Sequence, residues 1–207
     1  MKTNTMKTKK GFTLLELLIV IGILAILSTT VVLVINPAQL LKKARDSQRI
    51  SDLNTVKTAI AYYITEASSP NIGVVNTTTT YSDVASVVCT AAASADASVA
   101  LTTAGSGWIP IDFDTELAGG SPIGSLPSDP NPTLVGANPG RYYVYMVGNA
   151  TDYTFKLVAN LESTYYSTGD GDVESKDGGT DSNLYEVGTD MDTAIATSAT
   201  CYLGTGV

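Results

Sequence analysis

The chain has 207 residues, enough for one compact domain with an extension, and its 44% hydrophobic and 15% charged content marks it as globular rather than disordered. It contains no histidine, so the commonest general base and metal ligand is missing and the case for an enzyme is weak from the outset. The net charge of −8 hides a division: residues 1–11 carry four lysines and no acid, whereas residues 68–207 hold three bases against sixteen acids, a balance that repels phosphate backbones and argues against direct nucleic-acid binding.

From Phe12 to Ile35 the chain reads FTLLELLIVIGILAILSTTVVLVI, with Glu16 as its single charge. As a helix these residues extend about 36 Å, enough to cross a bilayer core of roughly 30 Å. Lysines before the run and acids after it place its N-terminus in the cytoplasm and the remainder outside. A secretory signal peptide would have a shorter apolar core followed by a small-residue cleavage site, and this run is longer with no A-x-A-like site after it. A plain single-pass anchor fits the length but leaves Glu16 unexplained, because a carboxylate near one end of a span is costly and usually functional.

Pro37 lacks an N–H and disfavours helical geometry in Asn36, so a kink or short unwound turn is expected there. Beyond it Ile50, Leu53, Val56, Ile60 and Ile64 recur at three and four residues and form one apolar stripe. Lys42, Lys43, Arg45, Asp46, Arg49, Asp52 and Lys57 are assigned to the other faces of this amphipathic helix, which Ser68-Ser69-Pro70-Asn71 ends.

The rest is rich in Thr, Ser, Gly and Asn. Tyr142–Val147 and Tyr153–Leu161, separated by Gly148–Asp152, predict an antiparallel hairpin. Trp108–Phe113 reads as a further strand that Pro110 would confine to an edge. Residues 76–104, of low complexity, read as loop with at most a short helix. Cys89 and Cys201 allow one pairing, expected as a disulfide in an exported domain, against the alternative of two free thiols. In the acidic stretch Gly169–Asp181, Asp170, Asp172, Glu174 and Asp181 fall at positions 1, 3, 5 and 12 of an EF-hand-like spacing, but Ser175 stands where such a loop needs glycine. The spacing admits calcium, and a solvated acidic turn is the plainer reading.

These segments predict an α+β fold. A long N-terminal helix projects its apolar half and packs its amphipathic half on a small antiparallel sheet. The organisation is a leader at 1–11, a membrane or filament-core helix at 12–35, an amphipathic helix at 36–67 and an acidic β-rich domain at 68–207. No nucleophile–base pair or phosphate loop is evident.

Lys9-Lys10-Gly11-Phe12-Thr13-Leu14-Leu15-Glu16 at the head of a spanning run resembles the prepilin cleavage site of type IV pilins and type II secretion pseudopilins. The order matches: a basic leader, Gly before the cut, Phe after it, then Thr, with Glu fifth in the processed chain. Met6 offers a second start, five residues ahead of Gly11. More loosely, residues 43–54 and Leu126-Pro127-Ser128-Asp129-Pro130 are similar to the same group. The resemblance implies a non-enzymatic subunit that prepilin peptidase cuts between Gly11 and Phe12 and methylates at Phe12. It implies a precursor held in the inner membrane and passed to a pilus or secretion assembly platform, which builds a homo-oligomeric filament at the cell surface or in the periplasm. Glu16 would set the axial register by meeting the Phe12 amine of a neighbouring copy. Major pseudopilins bind calcium in a comparable C-terminal loop, which strengthens the calcium reading of Gly169–Asp181. The alternatives to a pilus subunit are a pseudopilin, a minor pilin of a DNA-uptake machine and, from another class, a membrane-tethered extracellular binding protein.

Overall fold

The computed structural model describes residues 11–73, 80–82, 100–132, 142–149 and 151–192. The leader as far as Lys10, both cysteines and most of the low-complexity tract lie outside them. Two compact units divide at Leu40 and Leu41.

In the first unit α1 spans Leu14–Ile35. Its side chains are exposed along its length wherever they are described, and Leu14–Val31 is long and apolar enough to cross a membrane. The polar atoms inside it are satisfied locally: the hydroxyls of Ser28, Thr29 and Thr30 donate to the carbonyls of Leu24, Ala25 and Leu27 at 2.7–2.9 Å. Asn36 closes α1 in the left-handed region (φ 45°, ψ 75°), a conformation its short polar side chain tolerates. Pro37 is the first residue of α2, which spans Pro37–Glu66. Proline suits that position because its missing N–H would have no helical partner there. The break expected at Asn36-Pro37 is therefore one residue wide.

In the second unit α2 lines one core with a four-stranded antiparallel sheet in the order β1 (Thr80–Ser82), β2 (Val144–Asn149), β3 (Thr154–Ala159), β4 (Tyr185–Gly188). Leu53, Val56, Ala59, Ile60 and Tyr63 of α2 are buried with Tyr143, Tyr145, Phe155, Leu157 and Val187 of the sheet region, while Ile50 and Ile64 pack at the margin. The predicted hairpin is β2–β3, with Tyr145 opposite Leu157 and a register shift between Val147 and Asn149. Tyrosines join the two layers through their phenols. The Tyr143 hydroxyl donates to Asp52 at 2.8 Å, and that of Tyr185 accepts from Asn54 at 2.9 Å.

Three expectations need correction. Thr80–Ser82, read as loop, pairs with β2, a contact no local pattern encodes. The segment Trp108–Phe113 is not an edge strand. Only an isolated bridge between Ala104 and Asp112 forms there, and Trp108, Ile109, Ile111 and Phe113 are fully buried within irregular chain. The Trp108 backbone N–H donates to Ala100 O at 3.1 Å, its indole N–H to Pro127 O at 2.9 Å, and the Phe113 N–H to Thr103 O at 2.8 Å, so these three donors are satisfied without a ladder. Third, Asp46 and Arg49, expected on the polar faces of α2, are fully buried.

A buried irregular segment should behave energetically as core. Ile111→Ala is expected to cost about 2–5 kcal/mol in denaturant unfolding followed by the fluorescence of Trp108. A change near zero would return the segment to the periphery.

Candidate processing and assembly site

The residues ahead of α1 are held by the helix start itself. Thr13 is the N-cap: its Oγ1 accepts from the Glu16 N–H at 3.2 Å, while Glu16 Oε2 accepts from the Thr13 N–H and hydroxyl, each at 2.9 Å. This is a reciprocal capping box, and it satisfies two of the N–H groups that a helix start leaves unpaired. Among the described residues nothing donates to Glu16 Oε1. Phe12 is 88% exposed, and a Cβ placed at Gly11 would meet nothing within 4 Å. Neither residue is fixed by packing of the chain.

The start of α2 within the second unit carries a different device. Arg49, with no exposed side-chain surface, donates through Nε and Nη2 to the two oxygens of Asp129, through Nη1 to Asp46, and reaches Glu162 through Nη2, each at 2.7 Å. Arg45 forks onto Glu162 at 2.7 and 2.9 Å. Asp46 accepts from the Glu162 and Ser163 N–H groups at 2.9 and 2.7 Å. Burial alone would lower the Arg49 guanidinium, but Asp129, then Glu162 and Asp46, hold it above its ordinary value. One cation thus fastens α2 to the 126–131 segment and to the chain leaving β3. The sequence held a signal for this: 46 and 49 continue the spacing of 53, 56, 60 and 63, so the charges share the buried stripe.

The four residues of the calcium spacing are not brought together. Asp170 is exposed, Asp172 accepts from the Ser175 N–H and hydroxyl, Glu174 is buried and accepts from the Leu161 N–H at 3.2 Å, and Asp181 accepts from the Asn183 N–H at 2.9 Å. Among the described residues no group of three or more acidic, histidine or cysteine side chains is placed to hold a metal ion.

Burial pushes the Glu174 carboxyl up to about 8, with the charges of Asp46, Asp172 and Asp177 adding to the shift and the Leu161 N–H opposing it. The exposed turn carboxyl of Asp172 lies below its ordinary value because Ser175 donates to it.

Residues 6–32 match the family model described as the prokaryotic N-terminal methylation motif. No curated protein and no solved structure matches the chain. The chain therefore carries the hallmark of type IV pilins and pseudopilins on an α+β, pilin-like fold, and its apolar helix fits a membrane-anchored precursor.

Two outcomes follow in the head. Arg49→Met leaves Asp46, Asp129 and Glu162 buried without their shared cation, so it should cost about 3–5 kcal/mol in denaturant unfolding. Arg49→Lys should recover only part of that, because an ammonium cannot make the planar fork to Asp129. The second concerns pH. Folded Glu174 keeps its proton up to about pH 8, whereas unfolded it ionises near about 4.3. The native state binds more protons between those values, so this group's contribution to stability falls as pH rises through that window. Glu174→Gln should melt close to the wild type near pH 4 and above it at pH 8. Parallel melting curves for the two proteins across that range would contradict the shift.

Proposed function

We propose that this chain is the precursor of a structural subunit of a type IV pilus-like filament, cut between Gly11 and Phe12, methylated on the new Phe12 amine, and assembled through α1. The methylation motif, continuous with a membrane-length helix of exposed apolar side chains, carries this reading. Gly11 is not demanded by the fold, since its surroundings would accept a side chain. A requirement for glycine there is better explained by close approach of a peptidase to the backbone. The basic leader keeps the bond at the cytoplasmic face.

Glu16 combines two roles in this account. Oε2 is occupied by its own helix start, which fixes the carboxylate, and Oε1 is left to accept from the Phe12 amine of a neighbouring copy. Each charge is costly in an apolar surrounding, so pairing them rewards one stagger of the helices. Of the finer alternatives, the pilus is favoured over the secretion pseudopilus because three of the four carboxylates in the calcium spacing, Asp172, Glu174 and Asp181, accept from the chain's own donors.

N-terminal mass spectrometry of the native protein should find Phe12 as the first residue with one added methyl group, and Gly11→Val should accumulate uncut in the membrane. An intact leader on assembled protein would overturn the processing step. Glu16→Gln separates the two roles of the carboxylate, because glutamine can serve the capping box equally well but carries no charge. The variant should be cut and folded yet assemble at least about tenfold less filament, on the scale expected when a buried charge loses its partner. Normal filament yield would leave Glu16 as a cap alone.

A further inference from the structure

The acidic loop presses on a charge that belongs to the sheet. Along β3 the residues Phe155, Leu157 and Ala159 belong to the main core, and on β4 so do Tyr185 and Val187. Lys156, Val158 and Glu186 alternate with them on the opposite face and are equally buried. A fully buried lysine is rare and needs both a counter-charge and cover from water.

Both are present. Lys156 Nζ donates to Glu186 Oε1 at 2.9 Å and lies 3.3 Å from Thr180 Oγ1. Glu186 Oε2 accepts from the Asp181 N–H at 3.0 Å, and Asp177 accepts from the N–H groups of Gly179 at 2.7 Å and Glu186 at 2.6 Å. Gly179 lies so close that a Cβ there would overlap the Glu186 carboxylate. The segment from Asp177 to Asp181 is thus folded down over the ion pair, with the Asp181 N–H donating to Glu186 and the Thr180 hydroxyl oxygen accepting from Lys156. Burial raises the Asp177 carboxyl, while the Glu186 and Gly179 N–H groups and, less strongly, Lys156 pull it the other way.

We propose that the ammonium of Lys156 is the cation that orders the acidic loop, so that the head holds this loop in place without a divalent metal. One monovalent charge suffices because most of the loop's acidity is dispersed: Asp170 is exposed, Asp172 is spent on the Ser175 turn and Asp181 on Asn183. The carboxylate facing Lys156 directly is Glu186, with Asp177 saturated by two N–H donors. A divalent ion would need six to eight converging oxygens, and the loop turns its donors inward to the chain instead.

The test is amide hydrogen exchange of the full chain in detergent micelles, with millimolar calcium and with a chelator. Amides across residues 177–188 should be equally protected in both conditions. Lys156→Met should speed exchange there by at least about tenfold while α2 stays protected, since removing one partner of a buried pair leaves the other uncompensated. Gly179→Ala retains both charged residues but drives a Cβ into the Glu186 carboxylate and so displaces it from beneath the loop; it should produce the same local loss and serves if Lys156→Met does not fold. Protection of the wild-type loop that appears only with calcium would overturn the proposal, as would unchanged exchange in a folded Lys156→Met.

Discussion

The first constraint on this molecule is an apolar helix that cannot remain in water. A dozen large apolar side chains between Leu14 and Ile35 are half-exposed or more. Covering them is worth on the order of 10–20 kcal/mol by area, comparable with the whole net stability of a typical domain. Meanwhile the polar atoms of α1 are bonded internally: serine and threonine hydroxyls to carbonyls one turn back, and Glu16 to its own cap. Along its apolar flanks such a helix is prepared for lipid and for other copies alike, because both offer apolar contact there. A subunit that leaves the membrane for a filament needs that equivalence.

The head faces the opposite problem, which is to hold a long helix in one register on a small sheet. It does so with buried ions as well as apolar packing. Arg49 joins α2 to two separate loops through three carboxylates, and Lys156 with Glu186 holds the acidic loop onto the outer face of the sheet. Buried ion pairs add little net stability over apolar contacts of the same volume, but a misregistered one is severely penalised. A slip of α2 by one turn would keep hydrophobic residues near the core while stranding Arg49, so the ions specify the arrangement that the apolar stripe alone leaves degenerate.

What could be read from the sequence tracks the range over which its signals act. Helix periodicity, Pro37 and the β2–β3 hairpin are local, and all three stand close to where they were expected. The capping box was also local, written as Thr13-Leu14-Leu15-Glu16, yet the unusual charge in a membrane span drew the reading of Glu16 toward a partner and away from its own helix. Three features were out of reach. β1 and β4 acquire their pairing from residues dozens of positions away, the irregular burial of Trp108–Phe113 has no period, and the carboxylates that Arg49 and Lys156 meet outside their own elements lie 30 to 113 residues further on. A lone lysine inside YTFKLVANL was the one visible hint of the second ion pair. The EF-hand-like spacing at 170–181 counts carboxylates but says nothing of the donors that compete for them, here Ser175, Leu161 and Asn183.

The central claim is that α1 exchanges lipid for other copies of itself. Placing a photoreactive side chain at Leu24, midway along the exposed helix, and illuminating cells that are actively assembling would report that exchange directly. The account predicts a ladder of cross-linked multimers extending past the dimer, with the linkage mapped to α1 of another copy. Adducts to lipid alone in such cells would contradict it, and would leave the helix as a tether.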